Sequence, residues 1–365
     1  MDGWPRTILY ELVDFVTGGT PRTGRMAYWG GDIPWVTATD LTSGKKSLSA
    51  TARSLTQEGL WSMYGRTVPP GTVIISSRGT VGLLAVAAKD MAINQSCYGL
   101  IAKPNKLDQN FLYYLMKMVV NDLSLISHGS IFESISKKTF KEVTAPVPPL
   151  DVQKRIAALL SGFDEKIEIL SDQNITLEAL AALVYYERIN PLPGVRIKLD
   201  ELARISSGRH IDRSLIKPEG TYPVYGPAGL MGRADKYFLE TDLIFTGRVG
   251  TLGRVWMLKA PKRAWLTENT LYLKNAKYLH LTYFFLKNSS LPHYNSGSSQ
   301  PLLRRSDLAE MEIRVPCEKE AAAFEIYAGH LFDKIQANED QLESLIKLRD
   351  YLMVKLISGK LWLDP

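Results

Sequence analysis

Cysteine is scarce. There are two in 365 residues, and Cys97 and Cys317 stand far apart without the neighbours of a metal knuckle or a redox pair. That excludes a disulfide-stapled fold and suits a reducing compartment, the cytoplasm. The five histidines, His128, His210, His280, His293 and His330, share no ligand spacing with one another or with the cysteines, which argues against a metal site. No apolar run approaches the roughly 18 residues that a membrane helix needs. The opening MDGWPRTILYELVDF lacks the basic-then-apolar pattern of an export signal. A G-x-x-x-x-G-K-S/T phosphate loop is missing, so a nucleotide-driven motor built on one is excluded. Low-complexity tracts are missing too.

The chain does carry a heptad pattern. From Pro148 to Glu187 the positions Ile156, Leu160, Phe163, Ile167, Leu170, Asn174, Leu177, Ala181 and Val184 fall at alternating spacings of four and three, a coiled-coil seam with one polar member. A shift of 168 residues gives a second seam: Phe324, Ala328, Leu331, Ile335, Asn338, Leu342, Leu345, Arg349 and Leu352. The whole stretch Gly129–Tyr185 matches Gly297–Met353 without a gap. Upstream the match continues with small insertions, as between ELVDFVTGG (11–19) and ELARISSGR (201–209), or SSRGTVG (76–82) and TGRVGTLG (246–253). The order is block, helix, block, helix, with boundaries at 1–150, 151–190, 191–317 and 318–365. The two seams can pair within one chain, antiparallel, in which case Asn174 and Asn338 need not face each other.

Each block mixes short strands with one clear helix. The β-branched and aromatic runs GTVIISS (71–77), GLLAVAA (82–88), DLIFTG (242–247) and GRVWMLK (253–259) are bounded by glycine, and helices are expected at Asn110–Val120 and Leu279–Lys287. The fold class is α+β: two mixed blocks, each a small curved sheet plus helices, separated by two long antiparallel helices in a pseudo-two-fold repeat. Charge divides along the same lines. The two blocks hold 34 Lys and Arg against 22 Asp and Glu, and the two helical segments hold 10 against 16. The blocks are therefore +12 and the helices −6, as expected if blocks face a polyanion and helices face protein.

At this point the residues carry a resemblance. VPPLDVQKRIAALLSGFDEKIE (147–168) resembles the conserved region of the specificity subunit of type I restriction-modification systems. YPVYGPAGLMGRADKYF (222–238), DLIFTGRVGTLGRV (242–255), TENTLYL (267–273) and SGSSQPLLRRSDLAEMEIRVP (296–316) are similar to that family's target-recognition domains. IPWVTATDL (33–41), SSRGTVG and INQS (93–96) match in the first block. The second helix departs from the pattern, with Cys317 for a second proline and Ala321 where the first has Gln153.

The resemblance implies a non-catalytic adaptor that reads double-stranded DNA. Each block reads one half of a bipartite, asymmetric site, and the helices set the spacing. They also dock modification (methyltransferase) subunits, taken to be two, which restriction (translocase and endonuclease) subunits join. No cofactor is expected on this chain, since S-adenosylmethionine belongs to the modification subunit. A helix of some 38 residues is about 57 Å long, more than one turn of B-DNA.

For DNA contact the first candidates are Arg78 and Arg248, aligned between the blocks in glycine-bordered turns, with Thr80 beside Arg78. An Arg fork there can reach a guanine edge or a phosphate. Thr20, Arg22, Lys45 and Lys46 in the first block, and Arg209, His210, Arg233, Arg304 and Arg305 in the second, follow as basic or polar loop positions. Asp164, between the seam positions Phe163 and Ile167, is expected on a solvated helix face or at a partner contact. Trp35 and Tyr225 are assigned to packing.

Two other readings compete. A self-sufficient DNA methyltransferase could use FTGRVG (245–250) as a cofactor loop, but the sequence lacks the Asn/Asp-Pro-Pro-Tyr/Phe run of an amino-methyltransferase, and a lone glycine cluster is weak support. A coiled-coil scaffold with incidentally basic blocks is the other. Binding of S-adenosylmethionine by the purified chain, and a salt titration of its DNA binding, separate the three.

Overall fold

The computed structural model describes residues 3–128, 134–294 and 301–362. The repeat pair Gly129-Ser130 and Gly297-Ser298, and the His128 side chain, lie outside the described residues. The chain divides into two compact units, one of Met1–Ile169 with Leu342–Pro365, the other of Leu170–Gln341.

In the first unit the strands are β1 (Arg6–Ile8), β2 (Val13–Thr17), β3 (Trp29–Val36), β4 (Ser47–Leu48), β5 (Ser54–Leu55), β6 (Val73–Ser76), β7 (Leu84–Ala87), β8 (Ala92–Ile93), β9 (Cys97–Ala102) and β10 (Thr144–Pro146). They form a five-stranded sheet in the order β2-β9-β6-β7-β4, a three-stranded sheet β5-β3-β8 and the pair β1-β10. VIIS of β6 is buried at every position, as suits a central strand covered on both faces. The helices are α1 (Gln57–Trp61), α2 (Gln109–His128), α3 (Thr139–Glu142) and, up to Ile169, α4 (Leu150–Val184). Phe111–Met116 of α2 is buried on all sides, so that helix is the centre of the core, with Ile156 and Leu160 of α4 and Met353, Leu356 and Ile357 closing over it.

The second unit repeats this plan. Its strands are β11 (Val195–Lys198), β12 (Arg204–Ser207), β13 (Tyr222–Gly226), β14 (Gly229–Ala234), β15 (Leu243–Gly247), β16 (Val255–Leu258), β17 (Trp265–Leu266), β18 (Thr270–Lys274) and β19 (Glu312–Val315). Sheet orders β12-β18-β15-β16, β14-β13-β17 and β11-β19 mirror β2-β9-β6-β7, β5-β3-β8 and β1-β10. The helices are α5 (Leu199–Leu202), α6 (Leu279–Asn288), α7 (Arg305–Ala309) and, up to Gln341, α8 (Glu318–Ile357). Leu281, Phe284 and Leu286 of α6 pack with Ala181 and Tyr185 and with Ala321, Phe324, Ala328 and Phe332. In each unit the first and last strands of the block pair antiparallel, Arg6 opposite Pro146 and Val195 opposite Val315. The chain therefore enters and leaves a block at one place, beside the start of the long helix that follows.

All twelve candidate seam positions are buried or half-buried: Ile156, Leu160, Phe163, Ile167, Leu170, Asn174, Leu177, Leu331, Ile335, Asn338, Leu342 and Leu345. Antiparallel packing is visible inside each unit, where Asp164 meets Arg349 in the first and Asn174 meets Asn338 in the second. The expectation that the two asparagines need not meet is thus replaced by a direct bond: the Asn338 amide donates to Asn174 Oδ1 at 2.8 Å and to Gln173 Oε1 at 3.0 Å. After Val184, α4 continues as one π-helical turn, Tyr185–Ile189, and stops before Pro191.

The departure between Gln153 and Ala321 also resolves into two different fastenings. Gln153 is buried; its Oε1 accepts from Asp108 N at 2.7 Å, and its amide donates to the Lys106 and Pro148 carbonyls. Asp108 in turn caps α2 by accepting from Asn110 N and Phe111 N. Ala321 cannot do this. One helical turn further on, Glu325 stands at the repeat position of Ala157 and caps α6 directly, accepting from His280 N at 3.1 Å and Leu281 N at 2.9 Å. No described helix is long and apolar enough to cross a membrane.

Candidate nucleic-acid interface

In each block three loop segments converge at the end of a parallel strand pair. In the first block Trp35 lies opposite Ala92 and Val36 opposite Ile93; in the second Val224 lies opposite Trp265 and Tyr225 opposite Leu266. The chain leaving β2 or β12 must pass very close to this pair. A Cβ at Gly18 would sit 1.8 Å from the Ile93 oxygen, and one at Gly208 would sit 2.0 Å from the Thr267 oxygen, so only glycine fits either place. The next residue is then pinned from both sides. Gly19 N donates to Ile93 O at 3.0 Å and Arg209 N to Leu266 O at 2.8 Å, while an indole donates to the carbonyl of each at 3.0 Å. That indole is Trp35 on β3 in one block and Trp265 on β17 in the other, the same bond made from opposite strands. Trp35 is thus a packing residue, and Tyr225 packs on Phe245.

This pinning presents Thr20 and His210 at equivalent points, and each meets a side chain from the segment after the parallel pair. The Thr20 hydroxyl bonds Gln95 Oε1, and His210 Nδ1 lies 3.2 Å from Glu268 Oε1. Beneath them, Asn94 and Thr267 are equivalent, since Asn94 N donates to Val36 O and Thr267 N to Tyr225 O. Thr267 is 5% exposed, and its hydroxyl has no partner among the described residues. It lines a cleft of about 480 Å³ with His210, Asp212, Arg213, Glu268 and Asn269. Arg22, Arg209 and Arg213 are exposed beside these points, Arg209 with its guanidinium over the Phe238 ring.

The third segment is the glycine turn after β6 or β15. Both turns have seven residues, 77–83 and 248–254, with left-handed glycines at 79 and 82, and at 250 and 253. Ser77 N donates to Ser96 O and Arg248 N to Asn269 O; Ile135 N donates to Ser77 O and Leu303 N to Arg248 O. Arg248 therefore stands where Ser77 stands, and Arg78 where Val249 stands. This corrects the alignment of the two arginines by one residue. The consequences differ: Arg78 and Thr80 are exposed, whereas Arg248 is half-buried with its Nε unpartnered among the described residues. Neither turn leads into a helix; both run into strands, β7 and β16.

Other candidates fall elsewhere. Lys45, Arg304 and Arg305 are exposed. Lys46 is not a surface cation: its ammonium bonds Tyr114 Oη at 2.7 Å and Ser161 Oγ at 3.1 Å and pairs with Asp164 at 3.3 Å. Burial holds it below the usual lysine range even with Asp164 beside it. Asp164 is correspondingly not on a solvated face; it is 10% exposed and receives Lys46, Tyr114 and Arg349. Arg233 is a loop clamp, donating to the Gly220 and Thr221 carbonyls at 2.7 Å each. Burial pushes the Cys97 thiol up to about 12, and Cys317 is exposed and free. No cluster of three or more His, Cys, Asp and Glu suited to a metal occurs among the described residues.

Sequence reasoning passed over Trp61 and Tyr64, which are 68% and 91% exposed. The Met63 side chain between them lies beside Gly19. The run WSMYGR, aromatic and basic around a glycine, is the signal that could have found them.

A family profile described as the type I restriction modification DNA specificity domain matches residues 1–179 and 195–337. The specificity subunit of the type I restriction enzyme MjaIX of Methanocaldococcus jannaschii is 27% identical, over 98% of this chain and 93% of that protein. The specificity subunit of EcoR124I/EcoR124II of Escherichia coli is 26% identical over 43% of this chain and 40% of its own length. The crystal structure of the S subunit of a type I restriction-modification system from M. genitalium shares the fold, with a TM-score of 0.58 and 19% identity over 99% of this chain and 96% of that one. With both repeats matched, the chain belongs to the family of type I restriction-modification DNA specificity subunits.

Proposed function

We propose that the chain is a non-catalytic adaptor in which blocks 1–150 and 191–317 each read one half of a bipartite, asymmetric double-stranded DNA site. The observation that carries this reading is the pair of converging loop sites. Their scaffold is common to both blocks, down to the obligatory Gly18 and Gly208 and the indole bond to the next carbonyl. The side chains it carries differ: Thr20 and Gln95 above Asn94 in one block, His210 and Glu268 above Thr267 in the other. A shared frame with different polar groups is what two different half-sites require. The net positive charge of the blocks supplies the sequence-independent attraction to phosphates.

The segments 151–190 and 318–365 set the spacing and dock two modification subunits, which hold S-adenosylmethionine and methylate DNA; restriction subunits join that complex in the cytoplasm. The outer faces of α4 and α8 support docking. Eleven large apolar side chains are exposed there, and three pairs of them recur at the 168-residue repeat: Leu159 and Tyr327, Leu180 and Leu348, Leu183 and Tyr351. Two equivalent faces suit two copies of one partner.

The test is to assemble the chain with its modification subunits and map the methylated sequence. A bipartite motif is expected, and exchanging residues 1–150 for another family member's block should change one half-site alone. Methylation without any motif, or a change in both halves, overturns the proposal.

A further inference from the structure

The two equivalent polar pairs invite a sharper assignment, resting on the DNA-reading function proposed above. Glu268 sits in a block with a surplus of lysine and arginine, yet among the described residues its carboxylate bonds His210 alone, and its side chain stays 46% exposed. An acid facing phosphates would be repelled, so on a DNA-binding surface it must face the base edges in a groove. Beside it lies an unfilled polar group. The Thr267 hydroxyl is buried without a partner among the described residues, and Thr267 lines the cleft together with Glu268 and Asn269. Half-buried Pro227 and exposed Met231 complete the margin of the cleft, which has room for the edge of one base. The first block has the amide Gln95 where the second has the carboxylate, on the same backbone frame.

We infer that Glu268 and Gln95 are the equivalent specificity-determining side chains of the two blocks. Glu268 only accepts, and takes the exocyclic amino group of a cytosine or an adenine, N4 or N6. Gln95 both donates and accepts, and takes the N6 and N7 edge of an adenine. His210 and Thr20 orient the two side chains through the bonds already described. The arginines alongside, Arg209 and Arg213 in one block and Arg22 in the other, hold the backbone without reading sequence.

The test uses the chain in complex with its modification subunits, with methylation mapped across a genome. E268Q replaces an acceptor by a group of the same shape that also donates, and Q95E makes the converse change. E268Q is expected to relax or switch one position of the half-site read by the second block by about 10-fold or more in methylation rate. The other half-site and the spacer stay as they were. Q95E is expected to do the same in the first half-site. Each variant is first matched to the parent chain in urea midpoint and in binding of the modification subunit. If the parent complex yields no motif, the DNA-reading function itself fails. If the parent motif is clear and both E268Q and Q95E leave it unchanged, or either changes both halves, this assignment fails and the function stands.

Discussion

Arg349 donates to Asp164 at 2.7 Å, and both side chains are nearly buried, 12% and 10% exposed. Around this pair gather the Tyr114 hydroxyl, Lys46 and Asp350, the last bonded to Arg349 and to Lys117. The 168-residue repeat puts Phe332 at the place of Asp164 and Ala181 at the place of Arg349. There Phe332 packs on the rings of Tyr283 and Phe284. One unit is thus fastened by a buried polar hub and the other by apolar packing. Removing one member of a buried pair strands the other, at a cost of about 3–5 kcal/mol. D164A is therefore expected to lower stability by that order in urea unfolding. A loss below about 1 kcal/mol, the range of surface pairs, would contradict the hub.

Alkaline stability follows from the same cores. Burial raises the phenols of Tyr113, Tyr114, Tyr185 and Tyr283, Tyr113 to about 12. A phenol raised in the folded state keeps its proton while the unfolded chain loses one, so its contribution is complete below pH 10 and falls as pH climbs beyond it. Lys46 runs the other way. Its folded value is lowered, so the folded form sheds its proton first and the cost of burying that charge fades as pH rises toward 10.5. Four phenols outweigh one lysine, and the urea midpoint should drop between pH 10 and 11. Y283F should flatten the drop; an unchanged profile would show that the ring does not titrate as described.

The repeat, the helix pair and the heptad seam were legible because apolar periodicity survives divergence. Strands β6, β7, β15 and β16 lay within the predicted runs, since Gly and β-branched residues mark them locally. The candidate site was less legible. Pairing Arg78 with Arg248 matches like with like, but the register of that turn is set by backbone bonds to Ser96 and Asn269, which no residue type announces. Lys46 reads as surface charge until α4 packs beside it, because Asp164 is 118 residues away in sequence. The bond from Trp35 in one block and Trp265 in the other is hidden for the same reason: the tryptophans occupy different strands and converge only in space.

Glu325 offers a local test of how the second unit holds α6. Its two oxygens accept from His280 N and Leu281 N, and one also meets His280 Nδ1 at 2.8 Å. E325A leaves two helix-end donors without their acceptor, a loss of about 1–2 kcal/mol. Q153A in the first unit leaves the Asp108 cap itself intact but removes its support: the acceptor for Asp108 N and the amide that donates to the Lys106 and Pro148 carbonyls. Hydrogen exchange should show E325A loosening residues 279–283 and Q153A loosening residues 106–111. Exchange that rises equally in both segments for either variant would contradict separate fastenings.

The Asn338 amide bonded to Asn174 is a polar layer between α4 and α8 inside the second unit, and its cost is visible. Asn338 is fully buried, and its Oδ1 has no partner among the described residues. Replacing both by leucine, N174L with N338L, should remove that cost and raise the thermal midpoint by a few degrees. A polar layer is worth its cost when it fixes one register against its neighbours, because sliding the helices by a heptad would bury Asn174 against Leu331 or Leu345 and Asn338 against Ile167 or Ala181. Without it the apolar seam tolerates slipped pairings, and the assembled complex should methylate sites of more than one spacer length. A higher midpoint with a single unchanged spacer would leave register to the blocks alone, and a lower midpoint would mean that the amides stabilise the pair outright.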